Sequence, residues 1–110
     1  MDTEAQLRIK EVRLDPEGRL LVLPDLSTTD ATDLRFFPFV YRAAMGVDWD
    51  EEGKAFRSKR PEPNGWSYGD WFGQILRATA EELGVILSID SDTRWSVSDE
   101  VRQQIEPKPI

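Results

Sequence analysis

Carboxylates are the reactive groups this sequence supplies in number. Its 110 residues hold 21 Asp plus Glu, 14 Lys plus Arg, no His and no Cys, for a formal charge of −7. Without His or Cys the chain has no thiol nucleophile, no imidazole base, no Ser-His-Asp triad, no Cys/His zinc site and no disulfide. Two kinds of carboxylate chemistry remain. Asp48, Asp50, Glu52 and Gly53 have the spacing of the first half of a calcium loop, which needs a bidentate Glu at its twelfth position. That position is Lys59, which repels the ion, and the residues before Asp48 read as strand. The acids are therefore assigned to a hairpin turn. Paired carboxylates also cleave glycosidic bonds. With so many acids such pairs arise by chance, and none has a context that marks it as catalytic. The expectation is a non-catalytic chain without metal or cofactor.

Glu82 interrupts the apolar face of a helix and projects between Trp71 and Ile75. An unpaired buried carboxylate is costly. Glu82 is expected to reach solvent from the helix end, with pairing to Arg42 or Arg94 as the alternative. The aromatics are more informative. Phe37, Phe39, Phe56, Trp71 and Phe72 fall inside elements and are read as core. Trp49, Trp66, Tyr68 and Trp95 lie near turns with Asp48, Asp50, Asp70 and Asp92 beside them. That composition fits the aromatic anchors of a protein interface, with the acids as its rim. It fits equally a small core closed at its ends by Trp. Acids also gather at Asp25, Asp30 and Asp33 and at Asp48 to Glu52; on one end of a sheet they would form one negative patch.

These residues need elements to hold them. Leu7, Ile9, Val12 and Leu14 alternate with one slip at Lys10–Glu11, the mark of a bulged strand over 6–14. Asp15-Pro16-Glu17-Gly18 is a turn, and Leu20 to Leu23 the return strand. Residues 24–34 read as loop or as one helical turn after Thr29. Arg35 to Tyr41 reads as a strand, at an edge or bulge because of Pro38; Val40 to Trp49 continues it past Gly46. Asp50-Glu51-Glu52-Gly53 turns into a second return strand, Lys54 to Ser58, with Lys59 to Asn64 as loop. Ser67 caps a helix over 68–83 with Asp70 in the capping-box position, and Gly84 ends it. Gly69 and Gly73 share one flank, which points to a close backbone approach. Val85 to Asp90 is a strand, and Ser98 starts a short helix over 99–105. The fold class is α+β: an antiparallel sheet of about five strands with helix 68–83 on one face. A single domain spans 1–110, frayed over 1–5 and extended over 106–110. Strands 6–14 and 85–90 are the candidate edges for pairing with a second copy. Met1 to Lys10 lacks a signal-peptide core, and no run is long enough to span a membrane.

Leu21-Val22-Leu23-Pro24, Phe36-Phe37-Pro38-Phe39-Val40-Tyr41-Arg42 and Trp71-Phe72-Gly73-Gln74-Ile75-Leu76 resemble the small acidic proteins encoded by bacterial integron gene cassettes. In size and acidity the chain is also similar to immunity proteins of toxin systems. The resemblance implies a cytoplasmic bacterial protein that works by binding. Together with the residues it leads to a protein-interaction or immunity-like module. A basic partner would meet an acidic, Trp-rimmed surface, with Trp49, Trp66 and Trp95 as anchors and Asp48 and Asp50 as steering charges. The alternative is a small apolar ligand in an aromatic pocket between sheet and helix, beside Tyr68, Trp71 and Glu82. A carboxylate-dependent enzyme ranks third. Direct nucleic-acid binding is disfavoured by the net charge.

Overall fold

The computed structural model describes residues 5–28, 34–59 and 67–106. Asp30, Asp33, Trp66, most of the 59–64 loop, the first four residues and the tail from 107 lie outside them. Ala5, expected to fray, already pairs with Val85. β1 (Ala5–Leu14) and β2 (Leu20–Pro24) form the expected hairpin, and the register slips between Ile9 and Glu11, which makes Lys10 the bulged residue. The Asp15 carboxylate accepts the N–H groups of Glu17 and Arg19 at 2.9 and 2.8 Å. Gly18 closes the turn at φ +85°, a conformation that a Cβ resists.

The second hairpin joins β3 (Val47–Asp50) to β4 (Ala55–Ser58). Its left-handed residue is Lys54, at φ +53°, and not Gly53. Gly53 answers to space instead: a Cβ there would stand 2.7 Å from a carboxylate oxygen of Asp50. The strand expected to run on from Val40 begins only at Val47.

The sheet runs β3-β4-β2-β1, and two further strands lie along the other side of β1. β5 (Val85–Ser88) pairs with Ala5–Arg8, and β6 (Arg94–Ser96) pairs with Glu11–Arg13, both parallel to β1. The fold is α+β as expected; the sheet is mixed and six-stranded where an antiparallel sheet of about five strands was expected. β6 was not expected, and β5 stops short of Asp90. Segment 6–14 is interior and not an edge. The break between β5 and β6 falls opposite the β1 bulge, where Thr93 replaces the missing ladder bond. Its hydroxyl donates to the Ile9 carbonyl at 2.6 Å and accepts the Asp90 N–H at 3.0 Å.

α1 (Tyr68–Ala78) starts on the expected capping box: Ser67 Oγ accepts from the Asp70 N–H at 3.1 Å, and Asp70 accepts from the Ser67 N–H at 3.0 Å. The helix widens into a π turn over Thr79–Leu83 and ends at Gly84. Trp71, Phe72, Ile75 and Ala78 face the sheet, while Glu82 is exposed. α2 (Asp99–Ile105) is capped by Ser98 and packs on α1 at Gly69, where the Gln104 carbonyl passes through the space a Cβ would need. Gly73, on the same flank, meets nothing, so only one of the two glycines marks a close approach.

Two cross-strand rows define the faces of the sheet. Trp95, Val12, Val22, Phe56 and Trp49 stand in register across five strands, on the side of α1. The next row, Ser96, Arg13, Leu21, Arg57 and Asp48, faces away. There Leu21, Leu23 and Ala55 form a small buried cluster, and Arg57 binds Asp48 through two hydrogen bonds of 3.0 and 2.9 Å.

Arg8 ties the sheet together at one end. Its guanidinium donates to both oxygens of Asp90, at 2.6 and 3.0 Å, and to Asp25 at 2.9 Å. Arg8 pulls the Asp90 carboxyl down to about 2 from the usual 3.8. The Ser27 N–H, then the Ser27 hydroxyl and Arg8, bring Asp25 to about 2 as well. A depressed folded-state pKa contributes stability above the unfolded value and loses it as pH falls through the folded one. The urea midpoint is expected to fall between about pH 4 and pH 2, and in Arg8→Gln to fall less steeply there. Parallel curves for the two proteins would show that the clamp carries no linked protons.

Candidate interaction face

The stretch expected as a strand over Arg35 to Tyr41, with Phe37 and Phe39 both in the core, is a 3₁₀ helix over Phe37–Ala43. The reason lies in Pro38 and in the period of burial. Proline has no N–H to give a ladder, but in the first turn of a helix none is needed. A 3₁₀ helix has three residues per turn, so positions three apart share one row. Phe37 and Val40 are buried at 1% and 0% exposure, and Ala43 in the same row packs against the core. The row Phe36, Phe39, Arg42 and the row Pro38, Tyr41 are left outside. Phe36 is 52% exposed, Phe39 37% and Tyr41 50%, the exposed large hydrophobic side chains among the described residues.

This face is rigidly mounted. The Phe37 ring meets Trp49 edge-on at 5.2 Å and Phe56 at 5.3 Å, and Trp49 meets Phe56 at 4.8 Å. Ala44 ends the segment in the left-handed conformation at φ +58°, and its N–H donates to the Tyr41 carbonyl at 3.0 Å. Such a backbone costs an alanine about 1–2 kcal/mol, so the packing around it must compensate. Gln74 on α1 donates to the Met45 carbonyl at 3.2 Å, and the Trp71 ring closes over Gly46. With half of three large aromatics uncovered, the apolar area is on the order of 250 Å². The Arg42 guanidinium sits 4.4 Å above the Phe39 ring, a cation–π contact that fixes both side chains.

The sequence-derived anchors are placed differently. Trp49 and Trp95 end the same row on opposite edges of the sheet, roughly 19 Å apart at four strand spacings. They are not one surface; each closes the core at its edge. Trp49 donates its indole N–H to Glu51 at 3.1 Å, and Trp95 lies beneath the Arg102 guanidinium at 4.9 Å. Asp48 is paired with Arg57, and Asp50 lies against Gly53 beside Arg13. Glu51 binds Lys54, which with the Trp49 indole holds its carboxyl below the usual range. The steering acids are thus largely engaged within the fold. Among the described residues no three acids gather as a metal site. The pocket residues are also dispersed. The Tyr68 hydroxyl donates to the Gly18 carbonyl at 3.0 Å, Trp71 is buried, and Glu82 is exposed on the π turn. Asp25 and Lys54 line one hollow of about 500 Å³ with Lys10, Leu23, Pro24 and Leu26, so the 25–28 segment and the second hairpin do meet.

Phe36, Phe39, Tyr41 and Arg42 were missed as site residues. The signal was present in the sequence: Phe37, Val40 and Ala43 at intervals of three around a proline. No described helix is long and apolar enough to cross a membrane.

No curated protein matches the chain. A family model described as Integron Cassette Protein Hfx_Cass5 matches residues 11–93. A solved structure from the mobile metagenome of the North West Arm Sewage Outfall, also described as Integron Cassette Protein Hfx_Cass5, is 36% identical. That alignment covers 91% of each chain with a TM-score of 0.41. The match over most of the chain, from the β1 bulge to Thr93, shows that it belongs to the Hfx_Cass5 family of integron cassette proteins.

Proposed function

We propose that this protein is a non-catalytic binding protein that acts through protein–protein contact at the 3₁₀ face. One observation carries the reading: Phe36, Phe39 and Tyr41 stand exposed on a segment whose third row is locked into the core. Exposing three large aromatics is unfavourable in water. Tyr and Arg are also the types that dominate interface energetics. This face replaces the Trp-rimmed surface as the candidate contact, because Trp49 and Trp95 pack against the core at opposite edges of the sheet.

The test compares wild type with Phe39→Ser/Tyr41→Ser by quantitative co-purification from the host. Both side chains lie on the surface, so the unfolding free energy should fall by no more than about 1 kcal/mol and the variant should stay folded. A partner enriched by wild type and lost from the variant is the expected result. An unchanged set of co-purifying proteins would refute the reading. A second reading, small-molecule binding, is favoured by the hollow beside Lys10 and Lys54, whose volume of about 500 Å³ lies in the range of ligand sites.

A further inference from the structure

We infer that the surface docking on this face is an acidic polypeptide: apolar side chains seated on Phe36, Phe39 and Tyr41, with a flanking carboxylate on Arg42. The inference rests on the interaction reading above and names the partner's chemistry. Residues 35–43 carry two arginines and no acid, in a chain with 21 acids against 14 bases. Arg35 and Arg42 are exposed, and neither is ion-paired among the described residues. In the β3–β4 hairpin, Glu51 is paired with Lys54 and Asp48 with Arg57.

The placement of Arg42 gives the specificity. Its Cζ lies 4.4 Å from the centroid of the Phe39 ring, and no ion pair among the described residues engages its N–H fork. A carboxylate that reaches the fork accepts two parallel bonds, and the ring contact restrains Arg42 before the partner arrives. With apolar side chains packed on Phe36 and Tyr41, water is excluded and the pair strengthens. A basic partner would set like charge against both arginines. A nucleic acid could satisfy Arg42, but its dense phosphates must approach a chain of −7. A second copy docking by the same face would bring two more arginines and no acid from residues 35–43. An acidic polypeptide meets the apolar rows and the unspent fork together.

The test uses two cross-linkers on the full chain in a lysate of the host. A benzophenone side chain at position 36 reports whatever docks, regardless of charge. An Arg42→Lys variant treated with a carbodiimide forms a zero-length amide only with a carboxylate. The expected result is one protein joined by both, with the position-42 amide mapped to its Asp or Glu. Phe39→Ser and Arg42→Glu should each lower capture at least about tenfold. A photo-adduct on a protein that gives no amide at position 42 would overturn the acidic partner and leave the interaction reading standing. So would capture strengthened by Arg42→Glu. A photo-adduct on nucleic acid or on a second copy would overturn the partner assignment. The absence of any photo-adduct would overturn the interaction reading itself.

Discussion

Replacing Phe56 by alanine is expected to lower the unfolding free energy by about 3–5 kcal/mol. Phe56 has no exposed surface and stands inside the five-strand row, with Val22 on one side and Trp49 on the other. Its ring also lies 5.3 Å from that of Phe37, so truncation opens a void in the aromatic cluster that joins sheet and 3₁₀ helix. Each aromatic contact adds about 0.5–1.5 kcal/mol beyond burial, which places the loss in the upper part of that range. A domain of this size has a total of about 5–15 kcal/mol to lose. The urea midpoint should drop with an unchanged slope, and the Trp49 emission should move to the red. A loss under about 1 kcal/mol would mean that neighbouring side chains refill the void. The same substitution loosens the footing of Phe36 and Phe39, so partner capture should weaken even in molecules that remain folded.

Gly69→Ala and Gly73→Ala are expected to move stability in opposite directions. At Gly69 the added methyl would stand 2.2 Å from the Gln104 carbonyl oxygen, a backbone atom that cannot swing aside. α2 must back away, which also pulls the Gln104 side chain from the Tyr68 N–H that it now accepts at 2.9 Å. Overpacking of this kind costs about 1–3 kcal/mol, and here it should release α2 with Val101 and Ile105. At Gly73 nothing lies within 4 Å, and replacing a helical glycine by alanine gains about 1 kcal/mol. Circular dichroism and urea unfolding read both. A stable Gly69→Ala protein with unchanged helix content would show that α2 does not depend on this contact.

Legibility in the sequence followed how local the cause was. The bulge at Lys10, the Asp15–Gly18 turn, the Ser67–Asp70 box and the Ser98 cap each depend on a few adjacent residues. All were readable before any tertiary contact was known. The 3₁₀ segment was not, because Phe37, Phe39 and Tyr41 satisfy an alternation of two as well as Phe37, Val40 and Ala43 satisfy a period of three. Only the position of the core chooses between them. β6 was hidden for a related reason: Arg94, Trp95 and Ser96 have no strand pattern of their own and become a strand because the bulged half of β1 lies alongside. The two glycines of α1 looked equivalent, and only the course of α2 separates them. The exposure of Phe36, Phe39 and Tyr41 stayed out of view because an exposed aromatic and a buried one are the same letter.

The placement of β1 bears on how the molecule assembles. This strand is synthesised well before its parallel neighbours; Arg8 and Asp90, which clamp them, are 82 positions apart. At about 5–20 residues per second, one side of the first hairpin waits several seconds on the ribosome with its backbone unpaired. Pairings this distant in the chain also slow the folding step itself. The growing chain therefore carries an open strand edge until β5 and β6 emerge. That edge closes in two parts, on either side of Lys10, with the Thr93 hydroxyl bridging the gap at the Ile9 carbonyl.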